Sequence, residues 1–456
     1  MNKYRIKDFI KIGGGSACPG DRIEPAVELV KKGKLDYICF DSLSEVELNA
    51  FKLHKMEYPD EGFDVFMEER LRAILPLCVS NKTKIIGNMG AANPLAAQKL
   101  AINISRQLGI KGIKIAAILG DDVYEIIKKL NTTVLETNDT VDKFGDKLIS
   151  AYAYIPCIPI VEALQKGADI VITGRVGDAS LFLAPMMYEF SWQEDEWDLL
   201  AKGILIGHLL ECAGQVSGGY FADPPYKTVP NLYRLGFPIA EVFPDGEAII
   251  TKVSESGGEV SVATCTEQLL YEVTDPTCYI EADVITDFSE VDFVQVGKDK
   301  VKIGGKIKGK PKPKQLKVNL GVKEGYIGEG IVWYVGPGAY ERAKLAGEII
   351  KKRLSHIVNL KAENLRFELL GINALCGSFE DTPKMVPNEV GLRVAARTST
   401  KSEALKITRE IETIDNNGPA GIGRMPRKEE IKKILGHYVT FIPRDKITTK
   451  VIIMEV

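Results

Sequence analysis

The feature that most constrains this chain is an alternation, over roughly its first 190 residues, between short runs that are apolar throughout and longer amphipathic ones. The short runs are FIKIGGG (9–15), LDYICFDSL (35–43), KIIGNMG (84–90), IKIAAILG (113–120), ISAYAYIP (149–156) and ADIVITGRVG (168–177). They are rich in β-branched residues and apolar on both faces, as strands buried in a parallel sheet must be. Between them lie helical patterns such as PAVELVKKGK (25–34) and NPLAAQKLAINISRQLGI (93–110). Repeated strand–helix units predict an α/β fold: an N-terminal parallel β-sheet flanked by helices, Rossmann-like and three-layered. A partial barrel shares this spacing and stays open as the alternative.

A chain of 456 residues exceeds one core, because domains hold roughly 100–200 residues. After the charged SWQEDEWD (191–198) comes a very apolar helix, LLAKGILIGHLLECAGQ (199–215), and 219–335 then reads as β-rich. The expected division is an α/β domain over 1–218, carrying the Gly-rich loops and the His208 helix, followed by an α+β region over 219–456 of one or two parts. The lysine-rich GGKIKGKPKPKQ (304–315) reads as a hairpin tip kept in water by its charge.

Several classes fall away on composition. The net charge of -3 lacks the basic balance of a nucleic-acid binder. No apolar run is long enough to span a bilayer, and the N-terminus lacks the apolar core of a secretory signal. A cytoplasmic location is the expectation. The eight cysteines, Cys18, Cys39, Cys78, Cys157, Cys212, Cys265, Cys278 and Cys376, include no C-x-x-C pair, which argues against a zinc site or a disulfide framework. No metal site is expected, and no nucleotide-cofactor motif occurs.

Ligands of open α/β sheets sit at strand C-termini, so the turns there are the first candidates. GGGSACPGD (13–21) closes the first strand, and its Gly14, Gly15 and Ser16 offer backbone amides to an anion. A tight turn with no ligand is the structural alternative. Asp41 ends the second strand; Asn88, Gly90 and Asn93 follow the third. In TGRVGDASL (173–181), Arg175 is a fork suited to a carboxylate or phosphate, and Asp178 or Ser180 can cap the next helix. An Arg175–Asp178 ion pair is the alternative there. NNGPAGIGR (416–424) offers Asn417 and Arg424 to an anion.

GILIGHLLECAGQVSGGYFADP (203–224) is the most informative segment. His208, Glu211, Cys212 and Gln215 follow helical spacing on one stripe amid Ile and Leu. A buried ionisable stripe is costly unless its members pair, so His208 and Glu211 are expected to bond, which raises the histidine's pKa. That pair is a workable acid–base unit, Cys212 is an alternative nucleophile, and Gly218 and Gly219 give backbone access. A purely structural seam is the competing reading. Glu267 and Gln268, in CTEQLLYEV (265–273), read as structural.

In order and wording, GHLLECAGQVSGGYFAD, RLGFPIAEV, DGEAIITK, TCTEQLLYEV, EVGLRVAART and NNGPAGIG resemble the acyclic terpene utilisation, AtuA-like, family. ITGRVGDASL and the first Gly-rich turn match as well, so the resemblance runs from about residue 9 to about 424. The chain reads E-C-A-G-Q where the family's wording is E-C-G-A-Q, which keeps His208, Glu211 and Gln215 in register. The resemblance implies a bacterial catabolic protein, working beside enzymes that degrade citronellol and geraniol through acyl-CoA intermediates. The expected function is a lyase- or hydratase-like enzyme on a small carboxylate or acyl-CoA thioester, coenzyme A entering only as part of the substrate, in a homo-oligomer. A non-catalytic ligand-binding or scaffold subunit is the alternative.

Overall fold

The computed structural model describes residues 8–375, 387–424 and 431–456. The expected strands form as β1 (Ile10–Gly14), β2 (Tyr37–Phe40), β3 (Lys84–Gly87), β4 (Lys114–Leu119), β5 (Leu148–Ala153) and β6 (Ile170–Ile172). The helices among and after them are α1 (Glu24–Lys32), α2 (Glu45–Glu57), α3 (Met67–Asn81), α4 (Pro94–Gln107), α5 (Tyr124–Leu130), α6 (Ile158–Gln165), α7 (Ser180–Phe190) and α8 (Trp197–Glu211). Five of the strands pair in parallel, in the order β4-β6-β3-β2-β1. Alternate residues feed different cores. Tyr37 and Cys39 pack with α6, α7 and α8, whereas Ile38 and Phe40 pack with α1, α3 and α4. This is a mixed α/β fold with helices against both faces of the parallel strands.

β5 departs from expectation. Its six residues are all buried, as in the other runs, yet it pairs with β12 (Gln315–Val335) rather than joining the parallel strands. Apolarity reports burial and does not name a partner. The sheet also crosses the boundary expected after residue 218. β7 (Pro238–Val242) pairs antiparallel with β1, and β8 (Ala248–Lys252), β11 (Lys300–Lys310), β10 (Ile285–Gly297) and β9 (Tyr279–Ile280) follow in that order. α9 (Val262–Leu270) lies in this stretch, its start held by a Ser261–Thr264 capping box. The lysine-rich segment is not a hairpin tip: residues through Lys310 are strand β11, with Lys308 paired to Glu290 and Lys302 to Glu247.

By contacts, the chain divides into residues 1–321 with 437–456, and 322–436. The second unit holds α10 (Ala339–His356) and α11 (Lys401–Asn417), with β13 (Glu363–Leu370), β14 (Glu389–Thr398) and β15 (Ile422–Arg424) beside the far half of β12. Its core is built from residues such as Val332, Ile350, Leu392 and Ile411. β16 (Lys432–Pro443) returns the chain to the first unit, where β17 (Lys450–Glu455) adds antiparallel to β4. Among the described residues no helix is long and apolar enough to cross a membrane.

Candidate functional site

The C-terminal ends of the parallel strands meet the last turn of α8. The approach is close enough to demand glycine twice. A Cβ on Gly14 would lie 2.4 Å from the Leu210 carbonyl oxygen, and one on Gly207 would lie 2.5 Å from the Ala179 carbonyl oxygen. Gly207 and Leu210 of α8 therefore pack against both Gly-rich bends, the one after β1 and the one after β6.

His208 is 1% exposed, and both ring nitrogens face acceptors. Nδ1 lies 3.0 Å from Glu211 Oε1, and Nε2 lies 3.3 Å from the Leu269 carbonyl oxygen. The Leu269 carbonyl can only accept, so Nε2 donates to it, and Nδ1 and Glu211 Oε1 share a hydrogen bond. Burial pulls its pKa down, but the Glu211 bond and charge, with Leu269 and Glu281, raise it overall. Tyr279 and Phe288 cover the ring, with centroids 5.3 Å and 6.2 Å away. Gln268 donates Nε2 to the His208 carbonyl at 3.1 Å.

Asp41 lies at the rim beside this pair. Burial pushes its carboxyl up to about 7; Arg175 opposes the rise and Glu211 adds to it. Asn88 fixes it from below, donating Nδ2 to Asp41 Oδ1 at 2.6 Å and accepting the Ser42 amide. Ser16 is fully buried and donates to the Asp41 carbonyl at 2.8 Å. Glu281 completes the cluster. A Cβ on Gly177 would lie 2.7 Å from Glu281 Oε2, and burial, Glu211 and Asp283 push its carboxyl up to about 7.

The remaining candidates are placed less centrally. Arg175 is fully buried, and its guanidinium is committed to the Leu43 carbonyl at 2.7 Å, the Val176 carbonyl at 2.7 and 3.0 Å, and Asp178. Its ring-stacking partner is Tyr154, 4.5 Å away. Neither Asp178 nor Ser180 caps α7, whose N-cap is Ala179 and which has no side-chain cap; Ser180 donates instead to Asp283. The amides of the first bend are also engaged, Gly15 with the Cys39 carbonyl and Ala17 with Asp21. Gly90 bonds the Thr173 carbonyl, and Asn93 holds the carbonyls of Pro59 and Glu61.

Gln215 does not continue the helical stripe. α8 ends at Glu211 and Cys212 caps it; Ala213, at φ 41°, turns the chain into a short 3-10 segment. Gln215 bonds Tyr271, and both are half-buried. Burial, Glu211 and Asp41 push the Cys212 thiol up, so at neutral pH it is not the thiolate a nucleophile needs. Gly218, at φ 108°, and Gly219, bonded to the Gly214 carbonyl, shape the turn beyond. Asn417 and Arg424 belong to the other unit. The Asn417 amide donates to Thr413 one turn back, and the Arg424 side chain lies outside the described residues, as does Cys376.

Four contributors escaped sequence reasoning. Glu281 and Asp283 are two acids inside the apolar YIEADVI (279–285), an anomaly that could have marked them. Asp121 follows β4 as Asp41 follows β2; burial pushes it up to about 7, and its Oδ2 accepts the Arg175 amide at 2.7 Å. Gln268 read as structural but touches His208. Among the described residues no three His, Cys, Asp or Glu side chains gather as metal ligands.

The family described as "Acyclic terpene utilisation family protein AtuA" matches residues 10–453. No curated protein and no solved structure matches the chain.

Proposed function

The chain belongs to the acyclic terpene utilisation AtuA family, and from that premise we propose that it is a cytoplasmic catabolic enzyme exchanging protons with a small carboxylic acid or its acyl-CoA thioester. The observation that carries the reading is the gathering of two buried carboxyls with different partners. Glu211 bonds the His208 imidazole, and Asp41, held by Asn88, is pushed up to about 7 by burial. Titratable groups whose environments separate their proton affinities are the mark of an acid–base pair.

In this reading Glu211 is the base, Asp41 the acid, and His208 a positioning residue that orients Glu211 and keeps it charged. Hydration, dehydration or carbon–carbon cleavage all need such a pair. We read the parallel strands with their covering helices as a Rossmann-like three-layer frame whose strand ends supply the crevice. Gln215, Tyr271 and Cys212 are read as its mouth, and Arg175, with four of its five N–H groups bonded to Leu43, Val176 and Asp178, is read as a strut rather than the anchor of the substrate's anionic end. A homo-oligomeric assembly belongs to the same proposal. The test is turnover of acyl thioesters and hydroxy acids by Asp41→Asn: a loss of about 10²–10⁴-fold at unchanged melting temperature supports it, and wild-type rates refute it.

A non-catalytic ligand-binding subunit is the second reading, favoured by the engagement of both His208 nitrogens and four of the five Arg175 N–H groups within the protein. Conversion of any acyl-CoA by the pure protein alone excludes it.

A further inference from the structure

Two buried oxygen acceptors flank His208 with no donor of their own. Glu211 gives Oε1 to the imidazole, and its Oε2 has no partner; Gln268 gives Nε2 to the His208 carbonyl, and its Oε1 has no partner. Gln268 is 2% exposed and Glu211 6%. The Gln268 amide cannot flip to relieve this, since its oxygen would then face the carbonyl oxygen of His208. A buried acceptor without a donor is destabilising. The surroundings are acidic, with Asp41 and Glu281 on the same cluster, and Arg175 is spent on backbone carbonyls and Asp178. Such a place repels an anion and favours a group that brings a hydrogen to give.

We infer that the inner end of the site takes a neutral hydroxyl group, that of an alcohol-bearing substrate or of the water that adds to its unsaturated partner, and that this hydroxyl donates to Gln268 Oε1. The inference rests on the reading of Asp41 and Glu211 as an acid–base pair and narrows it to the addition or removal of water. In the removing direction the C–O bond breaks with its electron pair going to oxygen. The Asp41 carboxyl supplies the proton that makes the leaving group water. Glu211 Oε2 takes the proton from the adjacent carbon, and the C–H electron pair becomes the double bond. Addition runs the same steps backwards, and no oxidant or reductant enters. Gln268 is then a specificity-determining residue.

The experiment is ligand-observed NMR binding of two branched probes of matched carbon skeleton, isoamyl alcohol and isovalerate, to the full chain at neutral pH. The alcohol should bind and isovalerate should not. Gln268→Met should weaken alcohol binding by about two- to tenfold, the worth of one neutral hydrogen bond. Isovalerate binding as well as the alcohol, or alcohol binding unmoved by Gln268→Met, overturns the inference. If the Met variant melts early, the wild-type preference between the two probes decides. Loss of the acid–base reading is seen separately, as full turnover in Asp41→Asn, and leaves the alcohol preference to stand or fall by itself.

Discussion

The imidazole of His208 and the carboxylate of Glu211, one turn apart on α8 and 3.0 Å from one another, exchange the roles that their residue types first suggest. The histidine spends both nitrogens inside the protein, on Glu211 and on the Leu269 carbonyl. The glutamate keeps one oxygen unpartnered. The group left to act on a ligand is therefore the carboxylate, and the histidine is its counter-ion.

Removing that counter-ion should hurt folding before chemistry. His208→Ala leaves a buried carboxylate unpaired, which costs about 3–5 kcal/mol when a buried ion pair loses one member. Urea denaturation should show that loss, and His208→Gln, which can still donate to Glu211, should lose less. In the folded His208→Gln protein kcat should fall with KM little changed, and the pH profile of kcat should shift. A profile identical to wild type would deny the positioning role.

Arg175 should behave as a structural strut. Its donors go to Leu43, Val176 and Asp178, so Arg175→Lys, which lacks the planar fork, should lower the melting temperature clearly. A variant of wild-type stability with a large rise in KM alone would return Arg175 to anion binding.

Cys212 should be dispensable. Its thiol is pushed up by burial and by Glu211, so Cys212→Ala should keep turnover within about threefold of wild type, since thiols act as nucleophiles only as thiolates. Iodoacetamide should label it slowly at neutral pH. Rapid labelling blocked by substrate would contradict this.

Stability should fall as pH rises from about 4 to above 7. Asp41, Asp121 and Glu281 are each pushed up to about 7 in the folded protein, whereas carboxyls of the unfolded chain titrate near 4. Between those values the folded form holds more protons, so its stability declines with pH and levels off beyond 7. The raised pKa of His208 acts in the same direction. Glu45, lowered to about 2 by Lys317 and the Tyr154 hydroxyl against the cost of burial, acts oppositely, and its stabilisation is lost in acid. Melting temperature should peak at about pH 4, where the decline from the raised carboxyls begins. In Asp41→Asn the decline above the peak should be shallower by at least about 1.4 kcal/mol, the worth of one pKa unit.

The parts of this account legible in the sequence are those that depend on local pattern. Uniform apolarity located the strands, and helical spacing placed His208 and Glu211 on one stripe among Ile and Leu. Asp41 was legible because strand ends gather in α/β sheets. Other parts depend on partners distant in the chain. LISAYA is as buried as any parallel strand, and nothing within it says that it pairs with β12. Gln215 left the stripe because Ala213 takes a positive φ, which helical spacing cannot anticipate. Arg175 looked available because its acceptors are mostly main-chain carbonyls, which no side-chain pattern reveals. Gln268 and Glu281 come to the site from 60 and 73 residues beyond His208, through a sheet that continues past the expected boundary.

The most direct test of the central claim is turnover by Glu211→Gln, which keeps shape and removes the charge. Purified wild-type protein is assayed on branched hydroxyacyl thioesters and their unsaturated counterparts, beside the variant at matched melting temperature. A drop of about 10²–10⁴-fold in kcat, the usual contribution of a general base, is the expected result. Wild-type rates in Glu211→Gln, or no conversion of any of these compounds by the wild-type protein, would contradict it.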